Sequence, residues 1–260
     1  MTLGHDRTGT GEPLVLIHGV GSRRAAWAPV MDLITPEREV LAVDLPGFGA
    51  SPPDGTLPSV EGLAGRMERF FSEAGLERPH VAGNSLGGAV ALELGRRGSV
   101  RSVAAFSPVG FWKAPGRAWG RVSLTLGRIA GERLPVPSSP RVQAALARPA
   151  MFIFAFGKPW KVSDEEILDV QRSGVEAPNF EEGVRLGTRH DFSDPGQLPE
   201  IPVTFAWGTR DVLLTYATQS RRARRLAPWA RHVSLPGCGH VPFHDDPKRC
   251  AEVLLEASGG

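Results

Sequence analysis

At 260 residues the chain is long enough for one substantial α/β domain with room for an insertion. Hydrophobic residues at 41% and charged residues at 22% fit a folded globular chain rather than a disordered one. Against 28 acidic residues stand 30 basic ones, a formal net charge of +2, so there is no electrostatic reason to expect nucleic acid or acidic polymers as partners.

The start, Met1 to Arg7, has no apolar run that could act as a secretory core. No later stretch reaches the roughly 18 consecutive apolar residues of a membrane span. The expectation is a cytoplasmic protein without a membrane span. Leu14 to Ile17 is a continuous apolar run of strand length between Pro13 and Gly19. Val40 to Val43 is a second, ending in the turn-rich Asp44-Leu45-Pro46-Gly47-Phe48-Gly49. Leu63, Met67, Phe70 and Phe71 recur at helical spacing between Pro58 and Ala74. Val81 to Gly83 predicts a third strand, Leu86 to Arg97 a helix and Val100 to Phe106 a fourth strand.

The pattern then changes. From about 111 to 191 helical signals dominate, among them a capping box at Ser163 and Glu166, and prolines 135, 137, 140, 149, 159 and 178 divide the segment into short helices. Strand character returns at Pro202 to Trp207 and His232 to Leu235, and a last helix follows from Pro247 to Ala257. The alternation of strands and helices predicts a mostly parallel sheet flanked by helices. The expected division is a core of residues 1–110 and 192–260 with a helical cap at 111–191. Arg221, Arg222, Arg224 and Arg225, with Arg231 beyond, read as a solvated helix face.

Gly83-Asn84-Ser85-Leu86-Gly87 is a G-x-S-x-G turn between an apolar strand and an amphipathic helix. A serine on so sharp a turn adopts strained backbone angles, and side chains two residues to either side would collide. The helix start also brings backbone N–H groups and a positive dipole end to the serine. A serine hydroxyl needs a base to take its proton, and there are seven histidines to choose from. His5 falls in an unstructured start, His18 in a glycine loop, His80 before the third strand, His190 in the cap segment, His232 at a strand start and His244 in a polar turn. His240, in Pro236-Gly237-Cys238-Gly239-His240-Val241-Pro242, sits in a loop at the carboxyl end of a strand, where open α/β sheets bind ligands. Asp211 follows the strand before it and is the expected acid partner of His240. Asp245 and Asp246 are too near His240 in sequence and are expected to cap the last helix. Cys238 reads as a small buried residue of the loop rather than a nucleophilic thiol, and neither Cys238 nor Cys250 has zinc-ligand spacing. Acyl transfer needs two N–H donors for the developing oxyanion, and Leu86 and Val20, the latter chosen over Gly21 in His18-Gly19-Val20-Gly21, are the candidates. His18 itself is expected to be structural.

Leu16-Ile17-His18-Gly19, Asp44 to Gly49, Gly83 to Gly88, Trp207-Gly208-x-x-Asp211 and Gly239-His240-Val241-Pro242 together resemble the α/β-hydrolase superfamily. The resemblance covers nearly the whole core, in the order nucleophile, acid, base. It implies Ser85, Asp211 and His240 as a catalytic triad, a cap domain, a small-molecule substrate, and no metal or organic cofactor. Some members carry the acid after the preceding strand; that position is empty here, with no Asp or Glu between Glu93 and Glu132. Only about a dozen residues precede Leu14, so the family's first antiparallel strand is expected to be missing or shortened. The cap aromatics Trp112, Trp119, Phe152, Phe154, Phe156 and Trp160 are read either as a pocket roof or as the cap's own core, with Trp112 and Phe152 as candidate substrate contacts. The first functional reading is an esterase for small to medium apolar carboxylic esters. A carbon–carbon bond hydrolase of ring-cleavage diketone products is the alternative, although Val241 stands where that branch would carry Trp. A slow-turnover small-molecule receptor on the same fold is the reading from a different class.

Overall fold

The computed structural model describes residues 2–55, 59–133, 139–192, 198 and 200–259. Among them, seven strands form one sheet in the order β1-β3-β2-β4-β5-β6-β7. These are β1 (His5–Thr8), β2 (Glu12–Ile17), β3 (Arg38–Val43), β4 (His80–Asn84), β5 (Val103–Phe106), β6 (Val203–Gly208) and β7 (Arg231–Leu235). β1 pairs antiparallel with β3, and every other pairing is parallel.

The central strands read as unbroken apolar runs because both of their faces are covered. Along β2 and β3, Val15, Ile17, Leu41 and Val43 join one buried cluster, and Leu14, Leu16, Val40 and Ala42 join the other. Helices α1 (Ala28–Ile34) and α9 (Pro247–Gly259) cover the second cluster through Val30, Ile34, Val253 and Leu254. Helices α2 (Val60–Ala74) and α3 (Leu86–Arg96) cover the first through Leu63, Met67, Phe70, Leu86 and Val90. Ser59 caps α2 by accepting from Gly62 N at 3.0 Å, so that helix starts on its own cap; Pro58 lies outside the described residues.

Between β5 and β6 run α4 (Ala114–Arg133), α5 (Pro140–Phe154), α6 (Asp164–Glu176) and α7 (Phe180–Arg189), with α8 (Arg221–Leu226) following β6. The capping box of Ser163 and Glu166 opens α6 as expected. Prolines 135 and 137 lie outside the described residues. Arg222 is more than a solvated side chain: it donates to Trp112 O at 2.6 Å and to Asp191 at 3.3 Å.

The start of the chain is not unstructured. β1 is a four-residue antiparallel strand, and His5 hydrogen-bonds Leu3 O through Nδ1 at 2.9 Å and meets the Phe70 ring edge-on. An edge strand with three exposed residues carries no apolar alternation, so its sequence gave no strand signal.

On the α1–α9 face, Phe243 packs on Trp27 with ring centroids 4.1 Å apart and on Phe106 at 5.3 Å. Phe243→Ala is expected to cost about 3–5 kcal/mol, read as a lower urea midpoint at unchanged slope. Burial also holds His18, His80, His190, His232 and His244 below the ordinary histidine value of 6.5. Below about pH 6.5 the unfolded chain then binds more protons than the folded one, so stability falls as pH drops through these depressed values. The urea midpoint should therefore fall between about pH 7 and pH 5.5; a flat midpoint over that window contradicts the assignment.

Candidate active site

Strand register brings the sequence candidates together. Ile17 of β2 lies beside Gly83 of β4, so the loop after β2 and the turn after β4 emerge side by side. The chain leaves β2 for β3 on one side and places β4 on the other, which makes this gap the switch point where α/β sheets open a crevice. Gly208 of β6 lies beside Leu235 of β7, and so the loops carrying Asp211 and His240 also emerge together.

Ser85 sits between β4 and α3 with φ 57° and ψ −115°, a conformation few non-glycine residues adopt. Its surroundings explain the flanking glycines. A Cβ on Gly83 would lie 2.1 Å from Gly87 O, and one on Gly87 would lie 2.2 Å from Ile17 O. Ser85 N donates to Phe106 O at 2.9 Å, and Ser85 O accepts from Ala89 N at 3.2 Å and Val109 N at 3.1 Å. The serine backbone is thus fixed on both sides. Leu86 is the first residue of α3, where backbone N–H groups have no partner within the helix.

The His18–Gly21 loop packs directly on this turn: a Cβ on Gly19 would lie 2.9 Å from Ser85 Cβ. His18 is buried and structural. Leu45 N donates to its Nε2 at 3.0 Å, so Nδ1 carries the proton and donates to Gly19 O at 2.7 Å. With both ring nitrogens engaged, and burial lowering its pKa, His18 stays neutral and shapes the loop that carries Val20.

His240 Nδ1 donates to Asp211 Oδ2 at 2.9 Å, in a pair removed from solvent. Asp211 Oδ1 accepts from Leu214 N at 2.8 Å, which leaves the other oxygen for the ring. The histidine is thereby oriented with Nε2 as its free nitrogen. Ser85, His240 and Val20 line one cavity of about 460 Å³. Among the described residues no hydrogen bond joins Ser85 to the His240 ring, a contact that commonly tightens only when substrate is bound. The cavity walls are largely apolar, with Met151, Phe154, Phe156, Phe180, Val184 and Leu214 among them.

Several expectations change at this site. Trp112 lines the cavity and donates from Nε1 to Gly187 O at 2.9 Å, but Phe152 does not line it. Helix α5 turns Met151, Ile153 and Phe154 toward the cavity and leaves Phe152 on its outer side. Trp119 and Trp160 are likewise exposed rather than part of a roof or core. Asp246 caps α9 by accepting from Arg249 N at 3.1 Å, as expected. Asp245 does something else. Its carboxylate accepts from Gly157 N, Lys158 N and Gly239 N, each at 2.7 Å, and so clamps the His240 loop to the segment after α5. His244 sits in the turn after Pro242, as expected, and is half-buried beside the cavity, with Nε2 3.2 Å from Glu166 Oε1 and its ring edge-on to Phe156. Burial pushes the Cys238 thiol up to about 12, which keeps it protonated and unreactive.

Sequence reasoning passed over Asn84. Its side-chain amide donates to Phe106 O at 3.1 Å and to His240 O at 2.9 Å, tying the serine turn to the histidine loop. The only signal for it was adjacency to Ser85. Among the described residues no three His, Cys, Asp or Glu side chains cluster as a metal site, and no helix is long and apolar enough to cross a membrane.

Comparison with known proteins places this architecture. A family model described as the alpha/beta hydrolase family matches residues 14–253. The chain is 30% identical to an uncharacterized protein of Mycobacterium tuberculosis over 257 residues, which is 95% of this chain and 75% of that protein. It is 28% identical to a pimeloyl-[acyl-carrier protein] methyl ester esterase of Aeromonas hydrophila, over 98% of both chains. Among solved structures, a thermophilic esterase from Thermogutta terrifontis superposes with a TM-score of 0.75 at 22% identity, covering 98% of this chain and 92% of that one. The match to the family model over nearly all of the sheet and its flanking helices means that this chain belongs to the alpha/beta hydrolase family.

Proposed function

We propose that this hydrolase cleaves small to medium apolar carboxylic esters through an acyl-enzyme on Ser85. One observation carries the reading: the strained Ser85 turn and the buried His240–Asp211 pair open on the same apolar cavity. In this reading α4 to α7 act as a cap that closes the cavity above the carboxyl ends of the strands. The esterase activity of the Aeromonas relative, aligned end to end with this chain, adds support.

His240 Nε2 takes the Ser85 hydroxyl proton as Oγ adds to the ester carbonyl carbon. The carbonyl oxygen gains the negative charge and is met by the N–H groups of Val20 and Leu86. The protonated ring then gives its proton to the alkoxy oxygen, the carbon–oxygen bond breaks, and the alcohol departs. Water repeats the attack, His240 takes its proton, and the proton returns to Ser85 Oγ as the carboxylic acid leaves. Asp211 keeps the proton of the resting ring on Nδ1 and stabilises the ring while it is positive.

Ser85→Ala should lower turnover of a graded acyl-ester panel by roughly a thousandfold or more while leaving the thermal unfolding curve in place. A fluorophosphonate should label wild-type Ser85, located by mass spectrometry, and should not label the variant. Wild-type turnover in Ser85→Ala overturns the assignment. Cleavage of a dienoate ring-cleavage product in preference to every ester would move it to the carbon–carbon bond hydrolases. Saturable binding with turnover slower than dissociation would make the chain a receptor.

A further inference from the structure

The outer surfaces of α4 and α5 are patterned in reverse for helices that face water. On α4, Trp119, Val122, Leu126 and Ile129 follow at steps of three and four, and all are exposed. On α5, Val142, Leu146, Pro149 and Phe152 follow at the same steps, and all are exposed. Such steps keep residues on one arc of a helix, the arc that ordinarily turns inward. Val122, Leu126, Val142 and Leu146 are 52%, 59%, 50% and 69% exposed, so no described part of the chain seals these stripes. Leu126 and Leu146 also line the cavity, which places the two stripes at its rim.

Charge is concentrated on the same segment. Residues 111–161 hold nine Lys and Arg against the single acid Glu132, a net +8 in a chain whose total is +2. Arg117, Arg128 and Arg148 reach Asp191, Glu132 and Asp164. Lys113, Arg121, Arg133, Arg141 and Lys161 have no carboxylate partner among the described residues. Exposed apolar stripes flanked by unpaired cations are what a helix needs to lie in a membrane interface, its apolar side chains among the acyl chains and its cations at anionic headgroups. A second copy of this chain would bring the same positive field against itself.

We propose that the outer face of α4 and α5 docks on an anionic bilayer surface and turns the rim of the cavity toward the lipid. If the esterase reading holds, the substrate class is then an ester partitioned into lipid. The docking itself needs no turnover, so Ser85→Ala should bind vesicles as the wild type does, and the two readings fail separately.

The test is flotation of the intact chain with vesicles of phosphatidylcholine alone and of phosphatidylcholine mixed equally with phosphatidylglycerol. Flotation is expected with the anionic vesicles, weakening as salt is raised, and little with the neutral ones. Arg121→Glu/Arg133→Glu/Arg141→Glu should weaken anionic binding roughly a hundredfold. Val122→Gln/Val142→Gln/Phe152→Gln should weaken it roughly tenfold or more. None of these six residues lines the cavity, and an unchanged thermal unfolding curve should report that both variants are folded whether or not the chain hydrolyses esters. The proposal is overturned if the wild type does not float with anionic vesicles, or if it binds neutral ones equally well. It is also overturned if folded variants float like wild type. A dimer lost in the apolar variant, or capture of a soluble acidic protein, without flotation in either case, would give the face to that other occupant and overturn the proposal too.

Discussion

The start of α3 lies so close to the end of β2 that a methyl group at Gly87 would sit 2.2 Å from the Ile17 carbonyl oxygen and 2.5 Å from that of His18. That approach allows the loop after β2 to rest on Ser85, and it is possible only because position 87 has no side chain. The chain turns within one residue at Ser85, which takes a positive φ, and the tightness of that turn leaves no room for a Cβ on Gly83. A non-glycine residue there costs of order 1–3 kcal/mol, which the hydrogen bonds to Phe106, Ala89 and Val109 help to offset. The buried, neutral His18 extends the arrangement, since its two ring bonds fix the loop without adding a charge beside the proposed oxyanion site.

On the other side of the cavity, two carboxylates a short distance from His240 in space or sequence have been given different work by their partners. Asp245 accepts three backbone N–H groups, the kind of charge-assisted bonding that fixes a loop but leaves little capacity for a side chain. Asp211 accepts one, from Leu214, and turns its second oxygen to the His240 ring. Asn84 then links the two halves of the site, because one amide bonds both the β5 end and the His240 carbonyl. The rigidity of the histidine loop thus comes from groups that take no part in the proposed chemistry. It allows the ring to be aimed by a single carboxylate oxygen.

How much of this was legible in the sequence depended on whether a residue answers to its neighbours in the chain or to distant ones. The parallel strands were readable because burial on both faces makes them short continuous apolar runs, as at Leu14 to Ile17. β1 was not, since an exposed edge strand has no face to hide. The Ser85 turn was readable because its glycines satisfy local crowding. His240 and Asp211 could be chosen only by their place at strand ends. Asp245 was misread as a helix cap because its partners, Gly157 and Lys158, lie more than eighty residues away. The contact of His244 was illegible for the same reason: its partner Glu166 belongs to α6, far away in the chain, and nothing in the local polar turn points to it.

The helices between β5 and β6 resisted reading for a further physical reason. An ordinary surface helix has one apolar arc, and the position of that arc tells which residues face the core. Helix α5 has two. Ala144 and Met151 are buried against α6, while Val142, Leu146 and Phe152 are apolar on the opposite, exposed side. With apolar residues on both arcs, hydrophobicity no longer separates inside from outside, and Phe152 was assigned to the cavity when it belongs to the surface. A chain does not keep bulky apolar groups in water without cost, about 25 cal/mol for each Å² left uncovered. The same residues that blurred the reading of α5 are therefore the ones whose covering would gain most. The positive charge around them narrows what would cover them.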